Sequence, residues 1–296
     1  MEPVPLRVAL IGAGFIGTDL LIKIGRSQKL RCVHVVGRDM NSTGLRWAAR
    51  NGYRVSDQGV AALLADPEGF DLVFDATDAR ANLNHWRLLD PLGKILVNLT
   101  PSPSGVMIAP TVNGGAVTRS RNINLISCGG QAAVPIVHAL GRVAARIPYI
   151  EVVTTAASRS VGQGTRMNLD EFIDVTGGAV QAFSGAAQVK ALVNLSPASP
   201  APVFRVAITA LLEGADATEV RQAIEQAAAG VRRFCPGYAV TTCDIRADGT
   251  IFIAIGVTGR GDRLPFFAGN LDIINDAAVA VAESLADLSI PAGHRA

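Results

Sequence analysis

Short apolar runs alternate with stretches of helical periodicity over the first half of the chain. The apolar runs cover residues 6–11, 32–36, 70–77, 95–101 and 123–128. Between them, segments such as 18–24 and 81–89 repeat apolar residues at intervals of three and four, which is typical of a helix with one buried face. Apolar strands that alternate with helices predict a parallel sheet covered on both faces, with its binding crevice at the carboxyl ends of the strands.

The pattern changes in the second half, where strands follow one another more closely. Strands are predicted at 151–158, 190–195, 203–212, 238–246 and 250–257, and helices at 170–183, 219–234 and 271–288. The last two strands form a hairpin around Asp248-Gly249. The fold class is therefore α/β: an N-terminal Rossmann dinucleotide-binding domain over residues 1–127, an α+β substrate and dimerisation domain over 128–269, and a C-terminal helix over 270–296 that returns to the first domain.

A glycine-rich sequence follows the first strand and opens the first helix. It has the form G-x-G-x-x-G and consists of Gly12, Ala13, Gly14, Phe15, Ile16 and Gly17. In this strand–turn–helix context the backbone approaches a pyrophosphate, whose charge lies at the helix N-terminus. Asp39 ends the second strand, where a carboxylate binds the ribose hydroxyls of NAD. Asp39 therefore favours NAD as the cofactor. Because the neighbouring Arg38 suits the 2′-phosphate of NADP, NADP stays open as the alternative.

Cys128 stands where a predicted strand ends and a predicted helix begins. Gly129-Gly130 provides the bend between the two. Unpaired N–H groups and the helix dipole would lower the pKa of the thiol and favour the thiolate. A buried structural cysteine is the alternative, but a strand end followed by two glycines faces a cleft, so we predict that Cys128 is a nucleophile. A nucleophilic cysteine beside a dinucleotide loop indicates aldehyde oxidation through a thiohemiacetal and a thioester.

Composition excludes several other classes of protein. The 296 residues are 49% hydrophobic and 18% charged with a net charge of +2, which argues against disorder, a nucleic-acid groove or a polybasic membrane patch. The four cysteines form no C-x-x-C pair, so neither a metal site nor a disulfide framework is indicated. No basic signal region opens the chain, and no apolar run approaches the ~20 residues of a membrane helix. We expect a cytoplasmic protein.

Several motifs together resemble those of the acylating acetaldehyde dehydrogenases of aromatic meta-cleavage pathways. They are Gly17-Thr18-Asp19-Leu20, Asn98-Leu99-Thr100-Pro101, Cys128-Gly129-Gly130-Gln131-Ala132, Gly164-Thr165-Arg166 with Asn168, Asp170-Glu171-Phe172, Pro236-Gly237-Tyr238 and Gly269-Asn270-Leu271-Asp272-Ile273. The resemblance implies oxidation of acetaldehyde, or another short aldehyde, with NAD and coenzyme A to acyl-CoA and NADH. It also implies that Cys128 carries the thioester.

The resemblance further implies partners and cofactor contacts in the second half. The implied contacts are Ser160, Val161, Gly162, Gln163, Gly164, Thr165, Arg166, Met167, Asn168 and Asn270. The alternative role of Asn270 is to cap the helix that follows it, and Asn168 is also predicted to be an N-cap. The implied partners are a second copy of the chain and a 4-hydroxy-2-oxovalerate aldolase that delivers the aldehyde through a channel.

Departures from the family pattern leave two other functions open. The chain has Phe15 in place of asparagine, Gln163 in place of proline, and Val206 in place of an aspartate. These differences indicate a divergent branch. One alternative is a reductase similar to semialdehyde dehydrogenases, although His138 lies about ten residues along the predicted helix from Cys128, ~15 Å away. The other is an NAD-binding regulatory subunit with weakened catalysis, which Val206 favours and the intact Cys128 region opposes.

Overall fold

The computed structural model describes residues 4–289. The chain divides into two compact units: unit 1 contains the residues up to Leu125 and those from Asn275 onward, and unit 2 contains Ile126–Ile274. We had predicted the boundaries after residues 127 and 269, so they lie two and five residues from the observed ones. The predicted ranges also included residues 1–3 and 290–296, which lie outside the described residues.

Unit 1 is built from short strands and helices that alternate along the chain. The strands are β1 Leu6–Ile11, β2 Leu30–Val36, β3 Val55–Ser56, β4 Leu72–Asp75, β5 Ile95–Asn98, β6 Val106–Met107 and β7 Asn122–Asn124. The helices are α1 Phe15–Arg26, α2 Thr43–Arg50, α3 Val60–Leu64, α4 Ala79–Leu89 and α5 Pro110–Asn113.

All the strand pairs of unit 1 are parallel, in the order β3-β2-β1-β4-β5-β7-β6. The central strand β1 is buried from Val8 to Ile11, which explains its continuous apolar sequence. The chain order reverses on the two sides of β1, and such a reversal opens a crevice at the carboxyl ends of the strands. The predicted α/β fold with a dinucleotide-type sheet is confirmed.

Unit 2 combines longer strands with a group of helices. The strands are β8 Arg146–Ala157, β9 Gln188–Ser196, β10 Phe204–Glu213, β11 Tyr238–Ile245 and β12 Thr250–Val257. The helices are α6 Cys128–Val143, α7 Gln163–Met167, α8 Leu169–Ser184, α9 Ala217–Arg232 and α10 Gly269–Ser289, of which α10 starts in unit 2 and continues into unit 1.

The sheet of unit 2 has the order β11-β12-β10-β8-β9 and is antiparallel except for the β8–β9 pair. Buried and less buried residues alternate along β10 and β12, as expected for a sheet with one covered face. The buried face of β10, including Val206 and Ile208, packs in one apolar core with Ile136 of α6 and Ile224 of α9. The predicted α+β second domain is confirmed.

The sequence prediction is wrong about where some strands and helices begin and end, and it misses helix α2. The strand before Cys128 ends at Asn124, four residues earlier than predicted, and Cys128 is itself the first residue of α6. The spacing of apolar residues that predicts the helix after Cys128 extends to Ile147, but Ile147 belongs to β8. Helix α2 was not predicted, because its sequence mixes two arginines and a tryptophan with few apolar residues.

A buried ion pair fixes the unit 1 part of α10 against α1. Lys23 Nζ lies 2.8 Å from Asp276 Oδ1, and both side chains are about 95% buried. The neighbouring residue of α10, Asn275, donates through Nδ2 to Asp19 Oδ2 at 2.9 Å and to the Ile16 carbonyl at 3.1 Å. Helix α10 is therefore attached to the helix that the glycine-rich sequence opens.

We expect loss of Asp276 to destabilise the protein strongly, because it leaves the Lys23 ammonium buried without its nearest counter-charge. Asp276→Leu should lower the free energy of unfolding by about 3 kcal/mol in urea titrations. The double variant Lys23→Met/Asp276→Leu should recover most of that loss. The control is Lys29→Met, whose pair with Asp287 is half-exposed and should contribute less than about 1 kcal/mol. Equal losses in Asp276→Leu and the control would contradict a structural role for the buried pair.

Candidate active site

The glycine-rich turn between β1 and α1 has no room for side chains at two positions. Gly12 has φ +96°, and a Cβ there would lie 2.7 Å from the Ala76 carbonyl oxygen. A Cβ on Gly17 would lie 1.9 Å from the Gly12 carbonyl oxygen. Gly14, in contrast, faces open space and precedes α1 without a side-chain cap. The turn therefore presents bare backbone at a helix N-terminus, which fits a pyrophosphate.

The other residues of this turn surround the same helix start. Ala13 lies against α2, where a Cβ on Gly44 would stand 1.6 Å from the Ala13 carbonyl oxygen. Phe15 is 57% exposed, and Ile16 contributes the carbonyl that Asn275 holds. The sequence prediction missed Gly44, because an isolated glycine in an unpredicted helix gives no signal of its contact.

Asp39 lies exposed at the end of β2, as its predicted role requires. Its Oδ1 accepts from the backbone N–H of Asn41 at 2.8 Å, which closes a turn and leaves the other carboxylate oxygen toward solvent. Arg38 is also exposed beside it. The geometry of this strand end is thus open to either a ribose hydroxyl or a 2′-phosphate.

Cys128 is the first residue of α6, and a strained turn delivers it there. Ile126 has φ +66°, a left-handed conformation that is rare for a β-branched residue and costs of order 1–3 kcal/mol. Ser127 is the N-cap: its Oγ accepts from the Gly130 N–H at 2.9 Å and lies 2.7 Å from Thr176 Oγ1. Thr176 Oγ1 donates in turn to the Phe172 carbonyl at 2.6 Å. The turn is therefore held by a chain of hydrogen bonds to α8.

The two glycines after Cys128 are required by close contacts. A Cβ on Gly129 would lie 2.3 Å from Thr154 Oγ1, and a Cβ on Gly130 would lie 2.4 Å from Ile126 Cγ2. The strand-to-helix turn can form only because both positions lack a side chain. Downstream, Tyr238 Oη donates to the Ala132 carbonyl at 2.9 Å and holds the first turns of α6 against β11.

The electrostatics of Cys128 differ from the sequence prediction. Burial raises the pKa of the Cys128 thiol to about 12, although hydrogen bonds from the N–H groups of Gly129 and of Cys128 itself act to lower it. The sulfur is half-buried and packs against the apolar core of unit 2. The predicted pKa lowering by the helix N-terminus is therefore present but is outweighed by desolvation.

The predicted cofactor segment of unit 2 forms a compact loop. Ser160 Oγ donates to the Ala157 carbonyl at 2.9 Å, and Arg166 closes the loop by donating to the carbonyls of Val161 at 3.2 Å and Ser158 at 2.7 Å. The remaining residues of this segment are Gly162, which precedes α7, then Gln163, Gly164, Thr165 and Met167 within α7. The Gln163 side chain lies outside the described part of the structure. Met167 is 70% exposed.

The structure does not support the capping role predicted for Asn168 or the capping alternative for Asn270. Asn168 lies at the N-cap of α8, but its side chain makes no capping hydrogen bond. Asn270 is the second residue of α10, not its cap. Its Nδ2 donates to the Ser160 carbonyl at 3.2 Å, and its buried Oδ1 has no hydrogen-bond partner. Asn270 therefore joins the start of α10 to the Ser160 loop and presents a free acceptor.

An imidazole is the usual base for a catalytic cysteine, and unit 2 contains one histidine. His138, the only histidine between residues 126 and 274, bonds through Nδ1 to the Phe183 carbonyl at 3.0 Å. Among residues 4–289, no group of three or more His, Cys, Asp or Glu side chains could hold a metal ion. Over the same residues, no helix is both long enough and apolar enough to cross a membrane.

Comparisons with known proteins give consistent results. The family model described as "Prokaryotic acetaldehyde dehydrogenase, dimerisation" matches residues 128–265. The chain is 52% identical to an acetaldehyde dehydrogenase of Streptomyces griseus over 281 residues, which cover 94% of this chain and 90% of the relative. It is 42% identical to an acetaldehyde dehydrogenase of Pectobacterium atrosepticum, with 96% of each chain covered.

A solved structure shares the fold at much lower identity. Aspartate semialdehyde dehydrogenase II of Vibrio cholerae, crystallised as a complex with ASA, superposes with a TM-score of 0.68 at 14% identity. The superposition covers 95% of this chain and 98% of that chain. At this identity the likeness extends to the two-sheet architecture alone.

We expect a methyl group at position 129 to disrupt the turn around Cys128. Gly129→Ala should lower the free energy of unfolding by about 1–3 kcal/mol, because its Cβ meets a buried strand residue. The matched control is Gly178→Ala in α8, where nothing lies within 4 Å. That change should stabilise by about 0.5–1 kcal/mol. If Gly129→Ala and Gly178→Ala have equal thermal midpoints, the turn can accommodate a methyl group at position 129 and the prediction is wrong.

The raised pKa predicts how Cys128 reacts with pH. Since only the thiolate is alkylated, and about one thiol in 10⁴ is ionised at pH 8, the rate with iodoacetamide should rise about tenfold per pH unit from about pH 7 to about pH 9.5. Peptide mapping assigns the modified cysteine, and free glutathione, whose rate levels off near pH 8.5–9, is the control. A plateau for Cys128 below about pH 8.5 would mean that the helix N-terminus outweighs burial.

Proposed function

The chain belongs to the acetaldehyde dehydrogenase family and is an oxidoreductase that acts on an aldehyde, and we propose that it is an acylating enzyme. In the proposed reaction, acetaldehyde or another short aldehyde reacts with NAD and coenzyme A to give acyl-CoA and NADH. The observation that carries this proposal is the turn at Cys128. A strained Ile126, a capping Ser127 and two obligatory glycines place a thiol at the start of a 16-residue helix, with two backbone N–H groups directed at its sulfur. Strain of this kind is characteristic of functional positions.

The chemistry that follows uses one protein side chain. The Cys128 sulfur forms a bond to the aldehyde carbon as the C=O π bond opens, and the proton lost from the thiol ends on the former carbonyl oxygen, which becomes the hydroxyl of a thiohemiacetal. The bound nicotinamide supplies a hydride acceptor. Loss of the hydride and of the hydroxyl proton leaves a thioester on Cys128. Attack by the thiol of coenzyme A then forms acyl-CoA and returns the cysteine.

Transfer to coenzyme A rather than to water is supported by the surroundings of the sulfur in unit 2. Thiols attack thioesters far more readily than water does, unless a base activates the water. The His138 ring is held at the Phe183 carbonyl and lies ten residues along α6, roughly 15 Å from the start of the helix. With no imidazole beside Cys128 in this unit, the acyl group would persist until a thiol arrives.

The residues at the two cofactor segments fit a dinucleotide. In unit 1, Gly12, Gly14 and Gly17 expose backbone at the start of α1, and the Asp39 carboxylate would repel a 2′-phosphate, which favours NAD. In unit 2, the unpartnered Oδ1 of Asn270 is an acceptor of the kind that a carboxamide N–H requires. We assign the Ser160–Asn168 segment and Asn270 to cofactor binding.

The sheet of unit 2 supports a homodimer. Its helix-free face carries Val153, Ala207 and Ala254 side by side on β8, β10 and β12, all only half-buried. The matching family model, which is described as a dimerisation region, covers these three strands. A second copy of the chain covering this face would remove their apolar surface from water. A 4-hydroxy-2-oxovalerate aldolase partner and a cytoplasmic location stay predictions.

We expect an acyl-enzyme to accumulate when coenzyme A is withheld. Mixed with acetaldehyde and NAD, the protein should gain the mass of one acetyl group per chain, located by peptide mapping on Cys128. NADH formation should continue only when coenzyme A is added, and not with phosphate. Cys128→Ser should lower turnover by about 10³-fold or more while NAD still binds.

The matched control is Cys243→Ser on β11, a half-buried cysteine with no proposed role, which should keep full turnover. An adduct on another cysteine, or full turnover in Cys128→Ser, would overturn the assignment. Phosphate-dependent turnover would instead indicate semialdehyde-dehydrogenase-like chemistry. NAD binding without turnover under any condition would indicate a regulatory subunit.

A further inference from the structure

Asp75, the last residue of β4, is a fully buried carboxylate that the proposed chemistry does not use. It is 0% exposed and lies in a sheet whose interior is otherwise mainly apolar. A buried carboxylate is tolerated only where hydrogen bonds replace the water it has lost. The donors around Asp75 therefore indicate what the residue holds in place.

Four hydrogen bonds converge on the two oxygens of Asp75. Oδ1 accepts from the Thr77 N–H at 3.1 Å and from Thr77 Oγ1 at 2.5 Å. Oδ2 accepts from Asn82 Nδ2 at 3.0 Å and lies 2.8 Å from His85 Nδ1. Since a carboxylate only accepts, Nδ1 of His85 is the donor in this pair. Asp75 thus joins the turn after β4 to the first two turns of α4.

The segment held by Asp75 contacts the glycine-rich turn directly. Asp75 is paired in register with Ile11, the residue before Gly12, and the Ala76 N–H donates to the Ile11 carbonyl at 2.9 Å. The space that a Cβ on Gly12 would need is taken by the Ala76 carbonyl oxygen at 2.7 Å and by Thr77 Cγ2 at 3.1 Å. Residues 76 and 77 therefore form the wall against which Gly12 adopts its φ of +96°.

We infer that Asp75 is a positioning residue for the dinucleotide: through Thr77 and Ala76 it sets the conformation of the Gly12 turn that receives the pyrophosphate. The inference rests on the proposed function, because it needs the dinucleotide to bind at this turn. An amide at position 75 could accept from Thr77 through its oxygen, but its NH₂ group would then face the donors of Asn82 and His85. Residue 75 would then lose the two hydrogen bonds that hold it to α4, and the wall formed by residues 76 and 77 would lose its attachment to that helix.

The positional effect of Asp75 on dinucleotide binding can be distinguished from the effect of its charge. A buried negative charge near a pyrophosphate opposes binding by simple electrostatics, so its removal should strengthen binding if charge were the main effect. If positioning is the main effect, its removal should weaken binding. The two possibilities therefore give opposite signs in one measurement.

Asp71 offers a matched control at the other end of the same strand. It immediately precedes β4 and accepts from the Arg7 backbone N–H at 3.1 Å, from Arg7 Nε at 3.0 Å and from Arg7 Nη2 at 2.6 Å. Asp71 is thus a multiply hydrogen-bonded aspartate of the same sheet, placed at the amino end of the strand, away from the glycine-rich turn.

The experiment measures NADH binding by fluorescence and steady-state kinetics for Asp75→Asn, Thr77→Val and Asp71→Asn. Asp75→Asn should raise the dissociation constant of NADH and the KM for NAD about tenfold, with kcat at saturating NAD and the KM for aldehyde changed less than about twofold. Thr77→Val, which keeps the side-chain shape, should raise both NAD parameters by about threefold. Asp71→Asn should lower thermal stability without changing either.

The possible failures are distinguishable. If the unaltered chain does not bind NADH, the proposed function fails and this inference fails with it. If the unaltered chain binds NADH and Asp75→Asn binds it equally or more tightly, the inference alone is overturned. A loss of kcat with unchanged KM values, or the same behaviour as Asp71→Asn, would make Asp75 a purely structural residue. If Asp75→Asn does not fold, Thr77→Val decides, and unchanged NADH binding in that variant overturns the inference.

Discussion

Close backbone approach, at positions where no Cβ fits, is the constraint on which both glycine-containing turns depend, the one after β1 and the one at the start of α6. In unit 1, Gly12 and Gly17 bring the end of β1 and the start of α1 within contact of each other and of the Ala76 carbonyl. In unit 2, Gly129 and Gly130 allow α6 to begin directly against Thr154 and against the left-handed Ile126. Each turn exposes helix N–H groups that would be covered if a side chain were present.

Buried polar residues hold these two turns in the same physical manner. Asp75 gathers four donors around one carboxylate in unit 1, and Ser127 joins the Gly130 N–H to the Thr176 hydroxyl in unit 2. In both places a buried side-chain oxygen accepts hydrogen bonds from the segment that leads into a helix, next to a glycine-containing turn. At these positions buried polar side chains take the place of apolar ones. They contribute less to stability than apolar packing would, but they fix the geometry of the two turns.

The sequence predicted the sheets well because their signals are local. Continuous apolar runs identified the parallel strands, and G-x-G-x-x-G identified the loop between β1 and α1. The errors came from tertiary effects: the end of β7 at Asn124 depends on the strained Ile126, and the contact of Gly44 with Ala13 depends on how α2 packs. The direction of the Cys128 pKa was also wrong, because the helix N-terminus is visible in the sequence while the burial that opposes it is not. The role of Asp75 was not predicted either, because its burial and its hydrogen bonds to residues two, seven and ten positions away arise only in the folded chain.

The burial of Cys128 has a consequence for the lifetime of the protein in an oxidising cell. Peroxides, like other electrophiles, react with thiolates, and oxidation beyond the sulfenic acid is irreversible for most enzymes. A thiol whose pKa is raised to about 12 by its surroundings is almost entirely protonated at neutral pH and is a poor target for such damage. If Cys128 is the nucleophile, as proposed, the desolvation that makes it a reluctant nucleophile at rest would also keep it reduced until an aldehyde binds.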